Sequence, residues 1–430
     1  MRKASGTRPG LRLPQIVALY IGAVLGSGIL IIPGVAAEIS GPASLLAWGI
    51  MALMVVPMAL TIGLLAAQHP NSGGVSYFVA KAFSPRTGAF IGWYFIMAVV
   101  VGAPVLALTG AGYFCAAFGV NGAFRLPVAA LLLLVSLLSN HFGIRLTGAI
   151  QMIVVSITLM VLALAILVSL PRVEPSNFKP FMPNGLASIG FTSTALFWCF
   201  IGWEAVSNLS AEFENPGRDA VKGSIIAALI ISLFYFMTAF VVVGTHSFGP
   251  GISDTALVHI IKGTMGPHGA AAAGLAALLI CVAPAIAYTG AISRMIHSLA
   301  EGGYAPSLLA ISSKKHQTPL GGLCFLAGCY ALLLAAFSTR YITISTLIQL
   351  PGAAFILTYL GASAAGIKLL HKSKLGRFSS ILSFALSFSI LLCVKWTLWY
   401  PVLITCVLAL YLSIKSRSSN KKQPEPVQQS

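Results

Sequence analysis

One acidic residue stands in a stretch of the chain where a charge is hard to accommodate. Glu204 lies within "FWCFIGWEAVSNLSAEF" (197–213), an apolar segment that also contains Gly202. An ionisable side chain inside a membrane-spanning helix costs free energy and commonly serves function. Two interpretations follow. Glu204 either carries a proton or shapes a binding pocket, or it is a protonated structural acid that hydrogen-bonds to a neighbouring helix.

A second stretch, "GAVLGSGILIIPG" (22–34), also disturbs a helix. Gly26, Ser27 and Gly28 lie at its centre, and glycine is a poor residue for a helix interior. A break here would free N–H groups that suit a carboxylate and C=O groups that suit an ammonium. An α-amino acid carries both groups. The alternative is that Gly22, Gly26 and Gly28 form a helix-packing face of the G-x-x-x-G type.

The remaining residues offer no recognisable catalytic or metal-binding set. The H-E-x-x-H and phosphate-loop motifs are absent, the seven cysteines include no C-x-x-C pair, and the eight histidines are scattered. These motifs are the usual sequence signatures of metalloproteases, nucleotide sites and zinc sites. The sequence therefore predicts neither an enzyme nor a resident cofactor or metal, and it predicts no ATP-driven step within this chain.

The elements that position these residues are predicted to be membrane helices. Hydrophobic residues make up 57% of the chain and charged residues 8%, against about 25% charged residues in soluble domains. A spanning helix needs about 20 apolar residues. We predict an all-α membrane protein with about 12 transmembrane helices. They lie near residues 13–36, 43–67, 87–117, 124–140, 146–170, 188–211, 222–246, 267–300, 318–338, 341–369, 378–395 and 398–414.

The basic residues favour one side of the membrane. The formal net charge of +17 would also fit a nucleic-acid-binding protein, but the placement of the charges argues otherwise. With the N-terminus inside, 20 of the 26 lysines and arginines fall in cytoplasmic segments, and the other six fall outside. This is the positive-inside pattern. It predicts a multi-pass protein of the inner (cytoplasmic) membrane with both termini in the cytoplasm, in contact with the lipid bilayer and not with nucleic acid.

The two disturbed spans suggest an internal repeat. Spans 1 and 6 lie five helices apart, and an odd repeat length inverts the second copy relative to the first. We predict one multi-pass domain over residues 1–415, followed by a disordered cytoplasmic tail, 416–430. Within the domain, repeat one covers about 13–170, repeat two about 188–369, and two extra helices about 378–414.

Four segments resemble the amino acid–polyamine–organocation superfamily of transporters. The segment "GSGILIIPG" is similar to the family's span-1 G-x-G-I motif, and "HPNSGGVSYFVAKAFSPRTGAFIGW" to its P-x-S-G-G-x-Y loop. "FWCFIGWEAVSNLSAEFENPGRDAVKGS" resembles the F-x-G-x-E span 6 with its E-x-x-N-P loop, and "SRMIHSLAEGGYAPSLLAISSKKHQTP" the end of span 8. The resemblance implies two inverted five-helix repeats (a LeuT-like fold) plus two C-terminal helices.

The resemblance also implies roles for single residues. The substrate's α-carboxylate and amine are expected on Gly26, Ser27, Gly28 and Ile29. Phe200 and Gly202 are expected to add backbone contacts from span 6. Trp198 is similar to the gating tryptophan in the W-S-F-I-G-V-E motif of arginine/agmatine antiporters, and Glu204 to the acid of that motif.

Coupling is less clearly implied. Some proton-coupled members carry a lysine in span 5, where this chain has none and Thr158 falls near the position. This departure leaves Glu204 as the leading proton-coupling candidate. Sodium is the alternative, because backbone carbonyls and hydroxyls such as that of Ser293 could bind it.

Within the family, span 6 and its loop most resemble bacterial exporters of methionine and branched-chain amino acids. We therefore predict a secondary transporter of neutral, mainly apolar amino acids, exporting them by proton antiport through alternating access around the broken spans 1 and 6. A proton-coupled uptake permease or an exchanger is the alternative. From another class, a permease-like nutrient-sensing receptor subunit would use the same binding residues.

Overall fold

The computed structural model describes residues 10–26, 28–249, 253, 256, 260, 267–339, 344–392 and 398–420. The first part of the chain forms α1 (Leu13–Val24), α2 (Gly28–Ser40), α3 (Ser44–Gln68), α4 (Gly74–Ala82), α5 (Pro85–Phe118), α6 (Arg125–His141) and α7 (Ile144–Ser169). The second part forms α8 (Gly185–Phe197), α9 (Trp203–Ser207), α10 (Pro216–Gly244), α11 (Pro267–Glu301), α12 (Leu320–Ser338), α13 (Ile344–Leu369), α14 (Lys374–Leu391) and α15 (Trp399–Asn420).

The described residues confirm the predicted all-α class. They contain no β-strand, and their only β-type pairing is an isolated bridge between Leu11 and Phe213. Nine helical segments among them are long and apolar enough to cross a membrane, and three shorter apolar helices begin at Leu13, Gly185 and Trp399. Two of these shorter helices belong to the interrupted spans 1 and 6. Helix length alone therefore does not establish the predicted total of twelve.

The broken helices lie in the middle of the bundle. The short helices α1 and α9 pack against each other and against α11, while α2 packs against α8 and α10. The long helices α3, α7, α10 and α11 pack around them. Helices α6, α14 and α15 expose large apolar side chains such as Leu131, Phe378 and Leu410, as expected for surfaces that face lipid.

One end of the bundle gathers the segments predicted to be cytoplasmic, and we call it the basic end. Five contacts join these segments: Arg12 with Glu214, the Asn71 amide with the Ser210 hydroxyl, Thr318 with the His141 carbonyl, Lys368 with the Phe83 ring, and Lys415 with the Gly303 carbonyl. These contacts are thus consistent with the predicted topology, in which alternate loops lie on the same side of the membrane. Helix α15 continues to Asn420, and residues 421–430 of the predicted tail lie outside the described residues.

The chain before α1 is joined to the chain after α9 at this end. The Leu11 amide donates to the Glu212 carbonyl at 2.8 Å, and the Glu214 amide donates to the Leu11 carbonyl at 2.9 Å. Gly10 lies so close to this segment that an added Cβ would come within 2.8 Å of the Glu212 carbonyl oxygen. The two half-helices are therefore linked through main-chain atoms.

A buried ion pair at the basic end makes a first prediction. Arg294 is 7% exposed, pairs with Glu212, and donates from Nη1 to the Gly290 carbonyl at 2.9 Å. Arg294→Met leaves these acceptors without their donor. We expect it to lower the free energy of unfolding by about 3 kcal/mol, the lower end for a broken buried pair because Glu212 is partly exposed.

Arg12→Gln is the matched control. The pair of Arg12 and Glu214 is 73% and 47% exposed, and exposed pairs contribute at most about 1 kcal/mol. Denaturant unfolding in detergent micelles measures both variants. Equal losses in the two would show that burial does not distinguish these ion pairs.

Candidate functional site

The first interrupted helix ends where the sequence predicts. Helix α1 ends at Val24, the Gly26 amide donates to the Val24 carbonyl at 3.0 Å, and α2 begins at Gly28. The predicted break in span 1 is thus confirmed. Ser27, the third member of the motif, lies outside the described residues. The first N–H groups of α2 have no partner within that helix, so this helix start can bind an anion.

The second break lies in span 6 and is also confirmed. Helix α8 ends at Phe197, a 3-10 turn covers Trp198–Phe200, and Ile201 and Gly202 separate it from α9. Gly202 has φ of +138°, a conformation that residues with a Cβ rarely adopt. Trp203 closes the gap by donating from its indole nitrogen to the Phe200 carbonyl at 2.9 Å.

The two breaks touch each other. A Cβ added at Gly28 would lie 2.8 Å from the Cys199 sulfur, and one added at Gly202 would lie 2.8 Å from the Ala23 carbonyl oxygen. Contacts this short leave no room for a side chain at either position. By contrast, a Cβ at Gly22 would overlap the Gln151 amide nitrogen at 1.7 Å. The packing interpretation therefore fits Gly22, while Gly28 brings the two breaks together.

Glu204 sits just beyond the second break and is fully buried. Its Oε2 accepts from the Gly202 amide at 3.1 Å and from the Tyr359 hydroxyl, and its Oε1 accepts from the Tyr288 hydroxyl at 3.4 Å. None of the ion pairs among the described residues includes it. The carboxyl group is thus held by neutral donors from the break before α9, from α11 and from α13. This arrangement fits the structural and the proton-carrying interpretations alike.

The tyrosines around the breaks were not predicted from the sequence. Tyr235 of α10 donates to the Val24 carbonyl at 3.4 Å and stacks on Trp48 at 5.2 Å between ring centroids. The Tyr359 hydroxyl accepts from the Gly202 and Trp203 amides at 3.0 and 3.2 Å. These hydroxyls satisfy groups that the breaks release. A usable signal is a tyrosine deep inside an apolar span, because its hydroxyl needs a partner there.

A cavity of about 390 Å³ lies beside the first break. Its lining residues are Ala23, Val24, Gly26, Gly28, Ile31, Ile32, Val99, Gly102, Ala103, Val105, Leu106, Ala195, Ile201, Tyr235, Pro284, Tyr288, Gly352 and Phe355. Among the described residues, the lining contains no charged side chain, and its side-chain hydroxyls come from Tyr235 and Tyr288. Ligand pockets span roughly 300–1,000 Å³, so this volume suits a small, mainly apolar ligand.

The predicted site residues lie at different distances from this cavity. Gly26 and Gly28 line it, whereas Ile29 is fully buried and does not. Phe200 packs against both rings of the stacked pair Trp48 and Tyr235 and does not line the cavity. Gly202 does not line the cavity, but the preceding residue, Ile201, does. Trp198 belongs to the 3-10 turn, but its side chain lies outside the described residues.

The two residues discussed for ion coupling have different surroundings. Thr158 is buried, and its hydroxyl has no hydrogen-bond partner among the described residues. Ser293 is also buried, and its hydroxyl donates to the Gly290 carbonyl of its own helix at 3.0 Å. Neither observation tests which ion is coupled to transport, so sodium binding at Ser293 stays a prediction.

Comparison with known proteins identifies the family to which the chain belongs. The family model "Amino acid permease" matches residues 11–417, nearly the whole chain. This protein belongs to the amino acid permease family. The permease is therefore a multi-pass membrane protein of a transporter family within the predicted superfamily, and the activity of that family is amino acid transport.

Individual relatives extend the comparison. The permease is 34% identical to an uncharacterised amino acid permease of Bacillus subtilis, YecA, over 96% of this chain and 97% of the relative. It is 28% identical to the L-methionine/branched-chain amino acid exporter YjeH of Escherichia coli, over 97% and 99%. It is 25% identical to the branched-chain amino acid permease BcaP of Bacillus subtilis, over 74% and 73%.

Proposed function

We propose that this permease exports neutral, apolar amino acids from the cytoplasm in exchange for protons, by alternating access around the two breaks. The observation that carries the proposal is the apolar cavity of about 390 Å³ beside the start of α2. It combines a helix start for the substrate's carboxylate with an uncharged space for its side chain. A cationic or anionic side chain would lack a charged partner among the lining residues.

The main chain of the breaks binds the zwitterion in this proposal. The Gly26 and Ile29 amides already donate to the Val24 and Gly26 carbonyls at 3.0 and 3.2 Å, so the amides of Ser27 and Gly28, with the Ser27 hydroxyl, take the α-carboxylate. Carbonyls released at the end of α1 and near Phe200 take the ammonium. Tyr235 already donates to the Val24 carbonyl at 3.4 Å and lines the cavity, so it orients one of these groups. Trp198 serves as the gate.

Direction and coupling rest on separate support. The exporter relative covers 97% of this chain, which supports efflux, whereas the branched-chain permease covers 74%. The excess of lysine and arginine in the predicted cytoplasmic segments supports an inner-membrane protein with the basic end in the cytoplasm. In this orientation, protons enter as amino acids leave. Glu204 carries the proton, and Tyr288 connects its carboxyl group to the cavity.

Transport by purified protein in liposomes tests the proposal. We expect leucine and methionine to be moved, arginine and glutamate to be excluded, and a proton gradient to drive accumulation. Movement of arginine or glutamate without leucine or methionine would reject the substrate class. In cells fed with dipeptides, deleting the gene of an exporter raises the internal amino acid level. An unchanged level would favour the uptake or exchange alternative.

Two cavity glycines make a prediction about substrate size. Gly102 of α5 and Gly352 of α13 line the cavity, and a Cβ added at either would meet no atom within 4 Å. Valine at these positions therefore occupies space that the substrate side chain needs. We expect Gly102→Val and Gly352→Val to lower leucine transport relative to alanine transport by at least about tenfold, since one methylene in an apolar pocket changes discrimination by about 10–200-fold.

Gly328→Val is the matched control for both variants. Gly328 lies inside α12, has equally open space around its Cα, and does not line the cavity. Competition between labelled leucine and alanine in liposomes gives the ratio directly. The size prediction fails if Gly328→Val changes the ratio as much as the two cavity variants do.

A further inference from the structure

An apolar groove runs along the outer surface between α5 and α15. It has a volume of about 310 Å³ and is lined by Trp93 and Met97 of α5 and by six residues of α15, among them Tyr400, Ile404, Leu408 and Tyr411, with Pro306 at one end. It is separate from the central cavity, with which it shares no lining residue. Two of its other lining residues on α15, Leu403 and Val407, are 61% and 60% exposed, so the groove opens towards lipid.

The polar atoms of two groove aromatics are turned to the protein. The Trp93 indole nitrogen donates to the Tyr304 carbonyl at 3.0 Å, and the Tyr400 hydroxyl donates to the Met97 carbonyl at 2.8 Å. The rings therefore present carbon to the groove. A hydrocarbon chain fits this lining without leaving any of these polar groups unpaired.

The groove continues into a more polar cavity at the basic end. That cavity, of about 570 Å³, shares Pro306 and Tyr411 with the groove and adds Ser307, Leu308 and Lys415. Lys415 donates to the Gly303 carbonyl at 2.6 Å and lies 6.0 Å from the centre of the Tyr411 ring. Its ammonium has three N–H donors, so two are left for an anion. Neither lining includes a carboxylate among the residues that the structure describes.

The dimensions match one leaflet of a bilayer. Lys415 lies eleven positions after Ile404 on the helix, which corresponds to a rise of about 17 Å at 1.5 Å per residue. Half of the hydrocarbon core of a bilayer is about 15 Å. An acyl chain whose headgroup lies at Lys415 would therefore follow the groove to the middle of the membrane.

We infer that this groove binds one anionic phospholipid, with an acyl chain along Ile404 and Leu408 and the phosphate group at Lys415. The cation at the end of an uncharged groove selects an anionic headgroup over a zwitterionic one. A second copy of the chain is the other conceivable occupant. A stable protein interface needs on the order of 1,000 Å² of good complementarity, whereas this feature is a narrow groove.

Native mass spectrometry of the full chain, with added phosphatidylglycerol or phosphatidylcholine, tests the inference. We expect phosphatidylglycerol to bind more tightly by about fivefold, the preference that one lysine provides at an anionic surface. Lys415→Gln is expected to remove this preference. Ile404→Trp, which fills the groove, is expected to remove the bound lipid.

Two control variants keep the result specific. Lys374→Gln removes an exposed lysine at the start of α14, and Leu410→Trp enlarges a residue of α15 that is 63% exposed and does not line the groove. Both should bind phosphatidylglycerol like the unmodified protein. The inference is overturned if Lys415→Gln keeps the preference, if the controls lose it equally, or if Ile404→Trp converts a dimer to a monomer without changing lipid binding.

Discussion

Replacing Glu204 by glutamine is expected to abolish the pH dependence of transport while leaving the protein folded. Glu204 is the acidic residue at the break in span 6, is fully buried, and is bonded to Tyr288, which lines the cavity. Glutamine has nearly the same shape but cannot exchange a proton. A one-unit pH gradient supplies about 1.4 kcal/mol per proton, enough to hold roughly a tenfold amino acid gradient. The Glu204→Gln variant should not maintain an amino acid gradient when a pH gradient is imposed.

The hydrogen bonds around Glu204 explain why the variant should fold. The glutamine carbonyl can take the place of Oε2, which accepts from the Gly202 amide and the Tyr359 hydroxyl. The glutamine amide then faces Tyr288, whose hydroxyl can rotate to accept from it. Both donors to Oε2 keep an acceptor, and the Tyr288 O–H can turn towards the cavity that it lines, so most of the cost of unsatisfied groups is avoided.

Leucine accumulation in liposomes, with and without an imposed pH gradient, measures this effect. Exchange of leucine for leucine in the absence of a gradient serves as the control, because it needs binding and alternating access but no net proton movement. We expect Glu204→Gln to retain the exchange. If gradient-driven accumulation also persists, Glu204 is a structural acid and the proton is carried elsewhere.

Replacing Gly28 by alanine is expected to reduce transport by at least about a hundredfold. The added methyl group would lie 2.8 Å from the Cys199 sulfur and 3.4 Å from the Tyr235 hydroxyl. The two breaks would have to separate, which displaces the helix start proposed to bind the carboxylate. A displacement of about 1 Å at a reacting or binding centre can cost about a hundredfold in rate.

A second substitution separates the two ways in which this methyl group could act. Cys199→Ala removes the sulfur, so that the nearest remaining contacts of the Gly28→Ala methyl group are 3.4 and 3.5 Å. If Gly28→Ala acts by pushing the breaks apart, the double variant should recover much of the initial rate of leucine efflux. Cys199→Ala alone is the control. Full activity of Gly28→Ala would contradict the close packing of the breaks.

The positions of the breaks could be predicted because glycine leaves a direct signature. Gly26, Gly28 and Gly202 stand out in apolar spans, and α1 and α8 end where these residues predict. Their contact across the bundle could not be predicted in the same way. The approach of Gly28 to Cys199 depends on the paths of two segments that are 171 positions apart in the chain. No local sequence pattern predicts it.

The surroundings of Glu204 show the same limit. The carboxyl group was recognisable because a charge in an apolar span is costly, but its partners were not. Tyr288 and Tyr359 are ordinary residues for a membrane helix when read one span at a time. They become meaningful only when α9, α11 and α13 converge and the hydroxyl groups meet one carboxyl group.

The main-chain link between Leu11 and residues 212–214 has a mechanical consequence. Two main-chain hydrogen bonds join the segment before α1 to the segment after α9, so a displacement of either half-helix away from the bundle would carry the other with it. In a transport cycle the two half-helices would move together as one rigid unit that pivots at the breaks. A spectroscopic label on α1 would then report the displacement of α9, and a cross-link that fixes either one would arrest both.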